Sequence, residues 1–423
     1  MINIFGLVIC TKIMSKSILF LGLGVLILFS CTHQNENVSD WRGPNRQGIF
    51  YETGLLDSWP ENGPELLWNF EGLGAGHSSP GIENNKVFIT GMPDTIGVLY
   101  SFDLEGNLLW QKEYGEEWHV SYTGSRSTPL VVNNLVYFIS GMGEVFCFNA
   151  KDGAKIWSVD LLKKFNGNNI QWGISESVLI DGDHLICTPG GEENNIIALD
   201  RFSGETIWTS KGFSEQSAYC SPLLIVHNNT RLIVTMTATS VIGIDADSGE
   251  FYWRVPQLQS NKIHANTPVY DKGIIYCSSS SSRKGNSGLL ALKLSADGKS
   301  VEQLFRNEQY KNLMGGIVLL DGTIYGSAYR TKNWYSINAT TGEEKLISSD
   351  FGGGVITFAE GLFYCYSEDG EVALVNMTPN SFKIISKFAV PLGANQHWAH
   401  PIVHNKRLYI RHGDALMVYN ISK

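Results

Sequence analysis

From about residue 80 onward one local pattern repeats: a short apolar run, a turn of two or three polar or glycine residues, then a run that alternates or is apolar throughout. The turns are Asn84-Asn85, Asn133-Asn134, Asp181-Gly182, Asn228-Asn229, Asp271-Lys272-Gly273, Asp321-Gly322, Glu360-Gly361 and Asn405-Lys406, eight in all. Runs such as Val87-Phe88-Ile89, Val136-Tyr137-Phe138-Ile139 and Leu408-Tyr409-Ile410 suit strands buried between neighbouring sheets. Before most turns stands a Ser/Thr-Pro or similar pair, as in Ser79-Pro80, Thr128-Pro129, Ser221-Pro222, Thr267-Pro268 and His400-Pro401. Proline is tolerated there as the first residue of a strand.

A second marker follows four of these turns, and a weaker copy follows a fifth. Asp103…Gly106…Trp110, Asn149…Gly153…Trp157, Asp200…Gly204…Trp208 and Asp245…Gly249…Trp253 share Gly-x-x-x-Trp behind an acid or amide, with the tryptophans 47, 51 and 45 residues apart. A weaker copy is Asn338-Ala339-Thr340-Thr341-Gly342, with Leu346 in the Trp position. The acid or amide opens a hairpin turn, glycine supplies a positive φ, and the aromatic enters the next strand. The repeat length is that of a four-stranded propeller blade. The expected fold is therefore all-β: an eight-bladed β-propeller of four-stranded antiparallel blades. The last set ends at Tyr419-Asn420-Ile421 without room for a fourth strand, and Glu65-Leu66-Leu67-Trp68-Asn69-Phe70 offers the missing one. Pairing it onto the last blade closes the ring and removes an exposed edge. The alternative is seven blades plus an N-terminal extension, because the segment Gly352–Ser386 is short and lacks the tryptophan.

Composition narrows the picture further. Hydrophobic residues make up 43% of the 423 and charged residues 17%, which excludes global disorder, and 44 Gly against 13 Pro fits a turn-rich β protein. Formal net charge is −9, and −11 once residues 1–30 with Lys12 and Lys16 are set aside. A nucleic-acid partner is excluded, since phosphate binding needs a concentrated positive field. Ile18 to Phe29 is an apolar stretch too short to span a bilayer but suited to a signal-peptide core, and Leu28-Phe29-Ser30-Cys31 resembles a bacterial lipobox. Residues 1–30 are thus expected to be a lipoprotein-type signal peptide, with Cys31 the lipidated first residue of a membrane-anchored envelope protein. Residues 31–64 are expected to form a tether and leader, and 65–423 the propeller. Five cysteines remain beyond Cys10 and Cys31, an odd number that argues against a disulfide framework.

The Asp/Asn…Gly-x-x-x-Trp repeat, the Ser/Thr-Pro strand starts and the eightfold count together resemble the pyrroloquinoline-quinone (PQQ) repeat superfamily of β-propellers, over roughly Glu65 to Ile421. Upstream, Asp40-Trp41-Arg42-Gly43-Pro44-Asn45-Arg46-Gln47-Gly48 resembles the leader of exported propellers of this type. The resemblance implies one of two functions. Lipoprotein propellers, such as the outer-membrane-protein assembly component, bind other proteins and do no chemistry. Quinoprotein dehydrogenases hold PQQ and Ca²⁺ at the centre and oxidise alcohols or sugars. The chain lacks the adjacent Cys-Cys pair of many alcohol-oxidising members and any Cys-x-x-Cys-His for haem. The expected function is a non-catalytic scaffold without cofactor, and the quinoprotein is the alternative.

In a propeller the loops leading into the innermost strands form the rim of the central funnel. Here they carry Arg126, Trp172, Glu176, Tyr219, His264, Asn266 and His397, a candidate site for a protein partner or a small polar ligand, flat or polyhydroxylated. Arg126 is suited to clamping a carboxylate and Trp172 to stacking, while Glu176 and Asn266 are the oxygen donors a hard cation would use. His397, His400, His404 and His412 are close in sequence, but no carboxylate or cysteine stands among them at ligand spacing, so no metal site is expected.

Overall fold

The computed structural model describes residues 40–423 apart from 260 and 281–284; the signal segment and Cys31 lie outside the described residues. Eight antiparallel sheets follow one another along the chain. In blade 1 the strands run Gly81–Glu83, Lys86–Gly91, Ile96–Asp103 and Leu108–Glu116 from the centre outward. Blades 2 to 6 repeat the order, beginning at Leu130–Val132, Leu179–Asp181, Leu223–His227, Val269–Asp271 and Val318–Leu320. Blade 7 begins at Gly354–Ala359 and blade 8 at Ile402–His404. Among the described residues no helix is long and apolar enough to cross a membrane.

All eight turn pairs join the first and second strands of their blades, and each contains at least one residue at positive φ, for instance Asn133 at 53° and Asn134 at 62°. Left-handed residues give the turn a twist that matches the right-handed twist of the strands, which is why Asn and Gly recur there. The middle strands are buried on both faces, so they read as continuous apolar runs. The outermost strands alternate, leaving Leu66, Leu108 and Ile207 partly exposed. The core is accordingly a series of layers between adjacent blades rather than one centre.

The structure explains why glycine and tryptophan travel together in the repeat. Three of the four tryptophans lie against the glycine of the next blade: Trp110 on Gly153, Trp157 on Gly204 and Trp208 on Gly249. Gly249 has φ +74, and a Cβ there would stand 2.6 Å from the Trp208 ring, so no other residue fits. Trp157 Nε1 also donates to the Arg201 carbonyl at 3.0 Å, tying ring and turn together. Blade 5 carries a diverged copy, in which Phe305 takes the tryptophan's place and meets Gly342 of blade 6.

The ring closes as the sequence predicts. Glu65–Glu71 pairs antiparallel with Ala415–Asn420 as the outermost strand of blade 8, with Glu65 opposite Asn420. Trp68 then docks on Gly106 of blade 1 and donates to the Leu104 carbonyl at 2.8 Å. Blade 7, the short and tryptophan-free segment, is a full blade and gains a fifth strand. Ile49–Phe50 of the leader pairs parallel to its innermost strand.

Candidate functional site

An innermost strand presents an unpaired edge to the central channel, and its carbonyls need partners. The leader supplies them. Arg46 donates to the Pro222 carbonyl at 2.7 Å, the Ser177 carbonyl at 3.2 Å and the Val178 carbonyl at 2.5 Å, while Asp40 neutralises it at 2.6 Å. Arg42 donates to the Ile317 carbonyl at 2.6 Å, and Gln47 to that of Tyr270 at 3.1 Å. Segment 40–50 is therefore a plug inside the ring and not merely a tether.

Above the plug runs a belt of hydroxyls that accounts for the recurrent Ser/Thr before the strand. The Ser79 amide donates to Thr128 Oγ1 at 3.0 Å, Thr128 to Ser177 Oγ at 3.0 Å, and Ser177 to Ser221 Oγ at 2.9 Å. Each link joins adjacent blades. In blades 5 and 6 an amide does the same task, with the Gly316 amide donating to Asn266 Oδ1 at 2.8 Å.

Plug, belt and rim loops enclose a cup of about 380 Å³. Trp41 and the hydroxyls of Ser79, Thr128, Ser177 and Ser221 are part of its lining, together with His77, His400 and Trp398. Two aromatic pairs contribute to its walls. Trp172 and Tyr219 have ring centroids 6.2 Å apart, and the Trp172 amide donates to the Tyr219 hydroxyl at 3.1 Å. Tyr122 and Trp398 lie 5.3 Å apart, and His77 rests 5.0 Å from Trp398. Arg126 reaches the wall with its guanidinium held by the Ser121 and Tyr122 carbonyls. Burial brings its pKa down to about 10, partly offset by Glu117, so it stays charged at neutral pH. Burial also drops His77 to about 3, which keeps that imidazole neutral.

Of the seven rim residues singled out from sequence, the structure brings Arg126, Trp172 and Tyr219 to the cup. The other four are elsewhere. Glu176 turns back into blade 3, where its carboxylate accepts from the Thr188 amide at 2.8 Å and from the Thr188 hydroxyl. Desolvation raises it to about 7 against the pull of those bonds and of Arg46. Asn266 is buried in the belt, its amide donating to Asn312 Oδ1 at 3.1 Å. His264 is wholly buried, with its pKa lowered to about 4 by desolvation. His397 packs behind the rim, stacked on His412 at 3.7 Å with Nδ1 2.6 Å from the Tyr366 hydroxyl.

Sequence reasoning missed Trp41, Tyr122 and Tyr329 as lining residues. Trp41 sits in the leader motif, but nothing in the sequence says that this motif enters the channel. Tyr329 comes from a loop between the second and third strands of blade 6, not from a loop that leads into an innermost strand.

The site can be tested for PQQ with Ca²⁺ by its donors. A Ca²⁺ ion takes about six to eight oxygens, usually including carboxylates. Glu176 and Asn266 are both engaged away from the cup, and among the described residues no carboxylate lines it. Among the described residues no group of three His, Cys, Asp or Glu is placed to hold a metal. The donor set does not fit a Ca²⁺ ion, and no test of PQQ itself follows from it.

Eight blades, most of them four-stranded, with an aromatic ring packed on a glycine at five of the boundaries and an N-terminal strand closing the ring, define a PQQ-type β-propeller. The family model described as outer membrane protein assembly factor BamB matches residues 55–171 and 95–348, well over half of the sequence. The chain belongs to that family. The outer membrane protein assembly factor BamB of Kangiella koreensis is 25% identical over 205 residues, 47% of each protein, so the chain spans about half the length of the curated relatives it matches, or less. Among solved structures, BamB from Moraxella catarrhalis superposes with a TM-score of 0.59 at 16% identity, covering 84% of this chain and 99% of that one. Quinohemoprotein alcohol dehydrogenase from Comamonas testosteroni superposes at 0.62 with 9% identity, covering 90% and 80%. These two likenesses show the fold.

Proposed function

We propose that this protein is a non-catalytic binding scaffold of the cell envelope, held to a membrane by a lipid on Cys31 and engaging a protein partner or a small polar ligand at the funnel. The observation that carries the reading is the lining of the cup. It offers aromatic faces, hydroxyls, two histidines and one guanidinium, and among the described residues no carboxylate or thiol. Burial holds the pKa of its histidines, His77 and His400, far below the ordinary imidazole range, which leaves them weak bases. Such a surface is suited to binding. Membership of the BamB family supports the envelope setting and a protein partner in outer-membrane assembly.

The test uses the full chain. PQQ with Ca²⁺ is expected to give no saturable absorbance or fluorescence change, and no alcohol or aldose is expected to reduce an artificial electron acceptor. Cys31→Ser is expected to release the protein from membranes or leave the precursor uncleaved. Cofactor-dependent turnover would overturn the scaffold reading, and an unchanged membrane fraction with normal processing would overturn the anchor.

A further inference from the structure

We propose that the cup and the groove beside it form a recognition site for an acidic saccharide, an oligosaccharide whose sugar rings carry carboxylates. The proposal rests on the reading of this propeller as a binding module and names the ligand class of that site.

The first observation is a local reversal of charge. The chain carries 41 acidic and 32 basic side chains. A second recess of about 210 Å³ adjoins the cup, sharing Asn261, Ile263, Leu313 and Tyr329 with it. Among the described residues no Asp or Glu lines either one, while Arg126 lines the cup and Lys311 and Arg330 line the groove. Among the described residues none of these three cations forms an ion pair. The nearest acid to Arg126 in the electrostatic sense is Glu117, whose carboxylate is spent on the Tyr114 hydroxyl at 2.7 Å and the Trp118 and Gly141 amides at 2.7 and 2.6 Å. A recess of unpaired cations in an acidic protein favours an anion and repels little of its own making.

The second observation concerns hydrogen-bond direction. Thr128, Ser177 and Ser221 line the cup and each accepts an amide from the neighbouring blade, which leaves each hydroxyl proton available as a donor. Together with Arg126 these hydroxyls give the cup a row of donors. A ligand with many acceptor oxygens suits that row.

The third observation is the pair of aromatic walls, Trp172 with Tyr219 and Tyr122 with Trp398. Indole and phenol faces carry negative π density and offer apolar area, which suits the C–H face of a pyranose ring. Two linked recesses, rather than one closed pocket, suit a chain of rings. Carboxylates on successive rings would meet Arg126 in the cup and Lys311 and Arg330 along the groove, the arginine as a forked, charge-assisted donor.

The experiment titrates the detergent-solubilised full chain with trigalacturonate, following tryptophan fluorescence and calorimetry. Maltotriose serves as the neutral sugar and naphthalene dicarboxylate as a flat anion without hydroxyls. Saturable binding is expected for trigalacturonate, at least about tenfold tighter than for either comparator, and weakening as salt is raised. Arg126→Ala is expected to lose about tenfold or more, Lys311→Ala about threefold or more, and Trp172→Ala the fluorescence response with part of the affinity. Melting curves establish that each variant is folded, and Lys311→Ala, at a partly exposed position, serves if Arg126→Ala is not. Equal binding of maltotriose, equal binding of the aromatic dianion, indifference to both cation substitutions, or no binding of trigalacturonate would each overturn the proposal. Failure here in a protein still inert toward PQQ leaves the scaffold reading standing, whereas quinone-dependent turnover removes that reading itself.

Discussion

Glu176 shows what a single side chain can do against expectation. Four residues beyond Trp172 on the same loop, it points the other way, into blade 3, and its charge is buried beside the Thr188 bonds and Arg46. Its folded pKa of about 7 lies above the ordinary value of 4.5. Between those two pH values the folded protein holds a proton that the unfolded chain has released. Stability from this group is therefore greatest at low pH and falls as pH rises from about 4.5 to about 7. Glu176→Gln removes that penalty and keeps an acceptor for the Thr188 amide. The variant is expected to gain roughly 1–3 kcal/mol over the parent at pH 8 and little at pH 4.5. The buried histidines titrate in the opposite sense but equally in both proteins, so they cancel in the difference. Urea denaturation at the two pH values measures it, and an equal difference at both would refute the assignment.

Residue direction is also where the sequence was least legible. That Arg126, Trp172 and Tyr219 stand on rim loops followed from their place before an innermost strand. Whether a loop residue faces the cup or the sheet behind it depends on backbone dihedrals that composition does not record. Hence Trp172 and Glu176 could not be told apart, and Asn266, one residue before Thr267-Pro268, was read as a ligand when it serves as a link between blades.

At the scale of the element the repeat was readable in the blades that carry Gly-x-x-x-Trp, because it combines two local needs in one short stretch; the diverged copy built on Phe305 was not. The turn needs positive φ, and the neighbouring tryptophan needs the space a side chain would fill. What the repeat did not reveal is that glycine and tryptophan serve different partners across a blade boundary. Gly249 and Trp208 allow the two needs to be separated. Trp208→Ala is expected to cost roughly 3–5 kcal/mol, since the indole is almost wholly buried. Gly249→Ala is expected to cost roughly 2–4 kcal/mol from strained backbone and the clash with the ring. In the double variant the clash vanishes and only the backbone strain remains. Its cost should therefore fall short of the sum by roughly 1–2 kcal/mol. Strict additivity in a double-mutant cycle would show that the ring and the turn do not meet.

At the scale of the whole molecule the ring depends on one strand that arrives from the far end of the sequence. Trp68, read as an outermost-strand tryptophan, proved to be one, because it satisfies the same turn geometry at Gly106 as the others do at theirs. The plug was not legible, since a leader of polar and basic residues looks solvated until the unpaired edges it serves are in view. Deleting Glu65–Glu71 exposes the donors and acceptors of Ala415–Asn420 and the apolar side chains between blades 8 and 1. The shortened protein is expected to melt well below the parent or to aggregate on expression. An unchanged melting temperature would contradict closure by this strand.

The closing strand also sets a clock. Glu65 and its partner Asn420 are 355 residues apart, so the strand is made early and waits for its mate until synthesis is nearly complete. At roughly 5–20 residues per second that wait is about 20–70 s. Throughout it Leu66, Trp68 and Phe70 belong to a strand with no sheet to join, and the first seven blades can stack in order while the circle stays open. The interval between the first apolar strand and the last is the period in which this chain most needs to be kept from other chains.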